Sequence, residues 1–140
     1  TLRNNLSHMI LKNFSENIDS EFPQKIFETG RIFDYDGVTK NIEEKDSFSA
    51  AITPSNLTDI KQVLNYISEM IGQEITYQEP KDESSIPEYL IEARTAELYI
   101  EDKFIGYVGE VHPKILRNWK IKNPISIFEI SLEEIYKKIN

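Results

Sequence analysis

The stretch TAELYIEDKFIGYVGEVHP, residues 95–113, has the pattern of a β-hairpin followed by a helix. Two strand-like runs, residues 95–100 and 104–111, flank the polar triplet Glu101-Asp102-Lys103, as in two antiparallel strands joined by a short turn. Pro113 follows directly, and proline favours the first position of a helix. We therefore expect an antiparallel hairpin leading into a helix.

The clearest helix lies upstream, between Asn56 and Gly72. Asn56 can accept hydrogen bonds from the first free amides, Asp59 stands three residues later, and Gly72 is a typical stop. Seven apolar residues recur at helical spacing and define one face: Leu57, Ile60, Val63, Leu64, Ile67, Met70 and Ile71. This face is expected to pack across the sheet, with Leu64 buried.

The remaining elements give the fold class. A helix is predicted over residues 6–17, a capping box at residues 131–134 introduces a last short helix, and the polar residues 41–46 predict a loop. Further strands are predicted at residues 24–35, 48–53, 75–77 and 125–130. Strands that come partly as hairpins and partly separated by helices indicate an α+β fold, a mostly antiparallel sheet flanked by helices. The strand at 24–35 is expected in the middle of that sheet.

Composition restricts the classes of function. A chain of 140 residues, 39% of them hydrophobic, is the size of one domain with its own core. The absence of cysteine excludes thiol catalysis, thiolate metal sites and disulfides. A net charge of −8 disfavours independent nucleic-acid binding, and no apolar run reaches the roughly 18–20 residues of a membrane span. Because Thr1 leads straight into an amphipathic segment, we expect a fragment of a longer chain.

Few residues offer chemistry on their own. Gly106 and Gly109 lie inside a predicted strand, where glycine marks a bulge or close backbone contact rather than a phosphate loop. His8 and His112 are expected in core or capping roles, and two histidines without cysteine predict no metal site.

One basic cluster stands out in this acidic chain: Lys114, Arg117, Lys120 and Lys122. It is either a solvated face that complements a helix dipole or a contact for tRNA or a protein subunit. Trp119, beside these cations, is either a core anchor or a base-stacking platform.

Five stretches of this sequence resemble the beta subunit of archaeal and eukaryotic-type phenylalanyl-tRNA synthetase: residues 2–4, 22–30, 93–98, 105–116 and 128–130. The match spans nearly the whole chain, with the five stretches in order and gaps between them. The run Gly-Glu-Val-His-Pro at residues 109–113 is the most specific of them.

The resemblance implies a core like that of class II aminoacyl-tRNA synthetases, with residues 1–140 as a single C-terminal domain of a longer beta chain. It also implies a cytoplasmic α2β2 enzyme, phenylalanine–tRNA ligase, in which the alpha subunit carries the aminoacylation site. The holoenzyme would use ATP and magnesium to charge tRNA with phenylalanine, and no membrane is involved.

Class II catalysis uses arginines of motif 2 and motif 3 to hold the phosphates of ATP. By the resemblance, motif 2 is degenerate at Arg31, Asp34 and Asp36, with Asp34 in the position of the phosphate-binding arginine. Motif 3 should supply glycines and an arginine, yet no arginine follows Arg117 and no glycine follows Gly109. We therefore expect this fragment to be non-catalytic, without cofactor or metal of its own, and to support assembly with the alpha subunit.

Two other hypotheses stay open. An active ATP-binding ligase domain would need Arg31 or Arg94 to bind the phosphates. A tRNA-contacting module would use Lys114, Arg117 and Lys120, against the unfavourable net charge.

Overall fold

The computed structural model describes residues 7–16, 24–36, 41–82, 86–133 and 135. Three helices lie in these residues: α1 (Ser7–Glu16), α2 (Leu57–Ile71) and α3 (Pro113–Asn118). The strands are β1 (Gln24–Asp36), β2 (Asn41–Thr53), β3 (Ile75–Gln78), β4 (Leu90–Ile100), β5 (Lys103–Val111) and β6 (Ser126–Ser131). They form one sheet in the order β1-β2-β6-β5-β4-β3, and every neighbouring pair is antiparallel. The predicted α+β class is confirmed.

The sheet has an apolar core on each face, because successive residues of a strand point to opposite faces. On one face, which we call the α2 face, Ala50 and Phe128 join Ile60 and Leu64 of α2 in a single buried cluster. On the opposite face, residues of α1 pack on Ala51 of β2 in a second cluster, joined by partly buried residues of α3. None of the described helices is long and apolar enough to cross a bilayer.

Helix α2 begins and ends where the sequence predicts. The Asn56 side chain accepts a hydrogen bond from the Asp59 amide at 3.2 Å, and the Asp59 carboxylate accepts one from the Asn56 amide. Gly72 closes the helix in the left-handed conformation, at φ 68°. The predicted packing is confirmed, since Ile60 and Leu64 have no exposed surface.

The predicted hairpin is formed by β4 and β5, with Glu101 and Asp102 in the turn. Both strand glycines mark close backbone approach, as expected. A Cβ atom at Gly106 would overlap the backbone carbonyl oxygen of Glu129. One at Gly109 would lie 2.8 Å from the hydroxyl oxygen of Thr95.

Two expectations about the first strands are wrong. Residues 41–46 belong to β2 rather than to a loop, because residues 31–36 pair with them in a long hairpin that supplies their backbone hydrogen bonds. The strand predicted at 24–35, observed as β1, lies at one end of the described strand order rather than in the middle. Phe27 on this strand is 56% exposed, so an apolar residue at this position does not indicate a central strand.

Two further outcomes concern α2 and the last helix. Met70 belongs to the apolar stripe of α2 but is 64% exposed, because the stripe extends past the surface that the sheet covers. The last helix predicted from residue 131 lies mostly outside the described residues, of which 132, 133 and 135 are helical.

Candidate functional site

The predicted motif 2 region lies on β1. Phe27 lies on the α2 face, because its ring stacks on Phe48, which packs against the α2-face core, at 6.2 Å between ring centroids. Arg31 is four residues further along the same strand and therefore lies on the same face. Its guanidinium is 3.6 Å from the carboxylate of Asp46 on β2. Arg31 is thus paired with a carboxylate on the face that α2 covers.

The two aspartates of this region are in the same hairpin. The backbone of Asp34 pairs in register with Glu43, and that of Asp36 with Asn41. The side chains of Asp34 and Asp36 lie outside the described part of the structure. Their roles therefore remain predictions.

The other arginine considered for phosphate binding, Arg94 on β4, is held by a buried carboxylate. Its guanidinium donates a hydrogen bond of 2.7 Å to Glu110 on β5, whose side chain is 11% exposed. This bond and the charge of Glu110 raise the pKa of Arg94 above its usual value. Since Glu110 is two residues from Val108 in the α2-face core, this pair also belongs to the α2 face.

The opposite face carries a row of polar side chains that runs across all six strands. Register partners in neighbouring strands share a face, and here they connect one residue from each strand. We call this set the polar row: Glu28, Ser49, Glu129, Tyr107, Glu97 and Gln78. Neighbouring strands are about 4.8 Å apart, so the three carboxylates, two strands apart, are spaced at about 10 Å.

Hydrogen bonds fix the buried members of the polar row. Ser49 is fully buried and donates to the Phe128 carbonyl at 2.7 Å, while Ser47 donates to the Glu129 carboxylate at 3.2 Å. Glu97 is 5% exposed and accepts a hydrogen bond from the Tyr99 hydroxyl at 3.2 Å. The carboxylates of Glu97 and Glu129 therefore each accept a hydrogen bond from a hydroxyl group of the sheet itself.

An aromatic group borders the row at the β4–β5 end. The ring of Phe104 meets those of Tyr99 and Tyr107 edge-on, with centroids 5.8 and 5.1 Å apart. The ammonium group of Lys81 lies 5.6 Å from the Tyr99 centroid, within the range of a cation–π contact.

The polar row does not fit ATP and magnesium. Its charged members are three carboxylates, which repel a triphosphate, and the exposed side chains of Arg31 and Arg94 lie on the α2 face instead. In the described part of the chain, no three carboxylate or imidazole groups converge closely enough to hold a metal ion. The row therefore lacks the charges that adenylate formation needs.

The basic cluster lies on and after α3. Lys114, Arg117 and Lys120 are all exposed, and Trp119 is half-buried against the second core, which supports its anchoring role. The His112 ring nitrogen Nδ1 accepts a hydrogen bond from the Lys114 amide at 3.1 Å, so the expected capping role of this histidine is confirmed. Lys114 and Arg117 lie on α3 and Lys120 follows it, whereas the motif 2 region lies on β1.

An apolar groove lies between α2 and the β1–β2 end of the sheet. It encloses about 680 Å³. Four large hydrophobic side chains are exposed among the described residues, and three of them line this groove: Phe27, Tyr66 and Met70. Contiguous exposed apolar surface of this kind marks an interaction site more often than isolated apolar residues do.

Sequence reasoning found neither the groove nor the polar row. Both depend on strand order, because the groove joins residues 27 and 70 and the row joins residues from six strands. A partial signal was present in the segment Glu97-Leu98-Tyr99, where polar and apolar residues alternate. That pattern indicates a half-polar face but does not say which side chains of other strands share it.

Comparison with known proteins agrees with the sequence resemblance. A family model described as the phenylalanyl tRNA synthetase beta chain CLM domain matches residues 1–132. The phenylalanine–tRNA ligase beta subunit of Thermococcus sibiricus is 34% identical over 139 residues, 97% of this chain and 24% of that protein. The same subunit of Saccharolobus solfataricus is 33% identical over 142 residues, 99% of this chain and 25% of that protein. The chain thus spans about a quarter of the length of these relatives.

Solved structures share the fold at much lower identity. A pyrrolysyl tRNA synthetase from Desulfitobacterium hafniense superposes with a TM-score of 0.72 at 14% identity, covering 96% of this chain and 47% of that chain. A second structure of the enzyme from that organism gives a TM-score of 0.70 at 16% identity. The fold is therefore that of class II synthetases, as expected. Because the family model matches all but the last eight residues, this chain belongs to the family of phenylalanyl-tRNA synthetase beta chain CLM domains.

Proposed function

We propose that this domain is a catalytically silent class II module of the phenylalanine–tRNA ligase beta subunit, and that it supports assembly with the alpha subunit. The holoenzyme, with ATP and magnesium at the alpha subunit, charges tRNA with phenylalanine. The apolar groove is the observation that carries this proposal, since it offers a partner-binding surface that uses no catalytic group.

Electrostatics supports the silent part of the proposal. The sheet face opposite α2 presents carboxylates at Glu28, Glu97 and Glu129, where phosphate-binding chemistry would need cations. By the family resemblance, Asp34 adds another carboxylate at the position of a phosphate-binding arginine. The hydrogen bond of Arg94 to the buried Glu110 carboxylate, at 2.7 Å, argues against an active domain that would use Arg94 to bind ATP.

The groove supports the assembly part. Phe27, Tyr66 and Met70 are between 56% and 64% exposed. Exposing apolar surface to water costs free energy, and a protein partner that covers these side chains would remove this cost. Aromatic residues and methionine are enriched in protein interfaces, whereas charged residues are depleted at their centres. The alpha subunit is the partner that the family implies, and the groove offers it exposed aromatic and methionine side chains beside the polar residues Lys25, Asp59 and Gln62.

The test is co-purification of the alpha subunit with the full beta chain carrying Phe27→Gln and Met70→Gln. Both side chains are exposed, so the substitutions remove interface surface with little effect on the core. We expect recovery of the alpha subunit to fall at least roughly tenfold, because two apolar interface anchors are lost.

Phe104→Gln is the matched control, since Phe104 is also an exposed hydrophobic residue but does not line the groove. It should retain the alpha subunit. Recovery of the alpha subunit by the groove variant at the unsubstituted level, with folding verified by circular dichroism, would refute the proposal.

A further inference from the structure

Residues 111–128 contain four cations and no carboxylate, although the whole chain has 24 acidic and 16 basic residues. Lys114 and Arg117 lie on α3, and Lys120 and Lys122 follow it; all four are exposed. In the part of the chain that the structure describes, none of these four side chains takes part in an ion pair or hydrogen bond. We call them the α3 basic patch.

The helix dipole does not explain this patch. Helix α3 has only six residues, and Arg117 is the one cation in its last turn. The dipole acts over the last turn of a helix, whereas Lys120 and Lys122 lie beyond it. The dipole therefore leaves at least two of the four charges unexplained.

The backbone that carries the patch is held in place. Trp119 donates its amide to the Ile115 carbonyl, Lys120 donates to Arg117 and Ile121 donates to Leu116, at 3.1, 3.0 and 2.8 Å. The side chains of Trp119 and Ile121 pack on the second core. The cations are thus presented to solvent from a segment anchored at both the backbone and side-chain level.

The composition of the patch favours a phosphate backbone over a protein surface. Three of its four cations are lysines, a residue depleted in protein interfaces, and its neighbouring aromatic ring is packed inward. Phosphate contacts need only lysine and arginine, without base stacking or base-edge hydrogen bonds. The Debye length is about 8 Å at physiological salt, so a local patch attracts nearby phosphates although the chain is acidic overall.

We propose that the α3 basic patch binds the phosphate backbone of RNA without reading its bases. This inference rests on the proposed function, which makes tRNA the RNA that meets this surface in the holoenzyme. The contact adds affinity to a complex formed mainly elsewhere, because the net charge of −8 disfavours binding by this domain alone.

The test uses the heterotetramer with the full beta chain carrying Lys114→Gln and Lys120→Gln. Binding of a phenylalanine tRNA transcript is measured across a series of salt concentrations. Each lost phosphate contact should lower the slope of log affinity against log salt by about 1, so the double variant should lose about 2. Its affinity at low salt should fall roughly tenfold.

Lys81→Gln with Lys103→Gln is the matched control, because it makes the same change of net charge. Both lysines are exposed, and Lys103 begins β5, at the opposite end from α3. This control should bind tRNA within about twofold of the unsubstituted enzyme.

An unchanged slope and affinity in the patch variant would overturn the proposal. Loss of the alpha subunit by the patch variant would also overturn it, because the patch would then bind protein rather than RNA. A failure of the proposed function would appear in a different variant: the beta chain with Phe27→Gln and Met70→Gln would keep the alpha subunit, whatever the tRNA affinity of the patch variant.

Discussion

The two faces of the sheet differ in the side chains that they bury and in those that they expose. The α2 face buries aliphatic side chains under one helix and leaves the apolar groove beside it, with Tyr66 63% exposed. The opposite face carries the polar row, in which carboxylates such as Glu97 are buried and hydrogen-bonded within the sheet. The α2 face thus exposes apolar surface, while Ser49, Glu97 and Glu129 on the opposite face are hydrogen-bonded within the sheet.

This contrast separates packing from chemistry. A class II fold can keep its sheet and a protein-binding surface after losing its phosphate-binding cations, because different residues carry these properties. In this domain Arg31 and Arg94 remain as arginines but are bound to acidic partners on the α2 face.

The largest expected effect distinguishes the buried part of α2 from its groove side. Leu64→Ala should lower the free energy of unfolding by about 2–5 kcal/mol, because Leu64 is fully buried in the α2-face core. Tyr66→Ala, two residues away and exposed, should change it by less than about 0.5 kcal/mol. Urea denaturation measures both. Equal losses in the two variants would contradict the division of α2 into a core side and a groove side.

The next effect compares a glycine on each face. Gly106→Ala should cost about 3 kcal/mol, since the added Cβ would overlap the Glu129 backbone, which cannot move without disturbing β6. Gly109→Ala should cost less, about 1–2 kcal/mol, because its first contact is the Thr95 hydroxyl oxygen at 2.8 Å rather than an overlapping backbone atom. Thermal denaturation would rank the two. A neutral Gly106→Ala would show that β5 and β6 are not held this close.

The smallest effect compares two tyrosine hydroxyls. Tyr99→Phe removes the hydrogen bond to buried Glu97 and should cost about 1 kcal/mol. The buried Tyr77 hydroxyl has no hydrogen-bond partner in the described structure, so Tyr77→Phe should be neutral or stabilising at pH 7. Denaturation of the two variants at pH 7 checks this, and a larger loss for Tyr77→Phe would be inconsistent with it.

Tyr77 also has a pH signature. Burial raises the pKa of its hydroxyl above the usual value of 10.0, so the folded state favours the neutral form. Stability from this preference is present below pH 10 and is lost as pH rises through the folded pKa. Tyr77→Phe should remove that part of the loss, and an identical alkaline decline in both proteins would exclude it.

Sequence signals that depend on neighbouring residues predicted the ends of helix α2, but they did not predict the order of the strands in the sheet. Asn56 and Gly72 fixed the ends of α2 because capping depends on neighbours in sequence. Residues 41–46 looked like a loop because their strand partner, not their own composition, supplies the hydrogen bonds. The periodicity of α2 included Met70 because it cannot tell how far the sheet extends beneath a helix.

The family resemblance predicted the class II fold, which the structure confirms, but not the surfaces; the lack of phosphate-binding arginines that it implies stays a prediction. The polar row requires the register of six strands, which no single segment contains. The groove likewise requires Phe27 and Met70 to meet across the sheet and α2. The polar row and the groove both depend on pairing between segments that are distant in sequence, so neither can be predicted from one segment at a time.

Pyrophosphate exchange by the heterotetramer carrying Glu129→Gln, with Asp34→Arg as a second variant, tests most directly whether this domain takes part in the chemistry. If the domain is silent, phenylalanine-dependent exchange should stay within about twofold of the unsubstituted enzyme while the tetramer remains intact. A loss of about a hundredfold or more, with the tetramer intact, is the effect of removing a transition-state contact. That result would contradict the silent-module account.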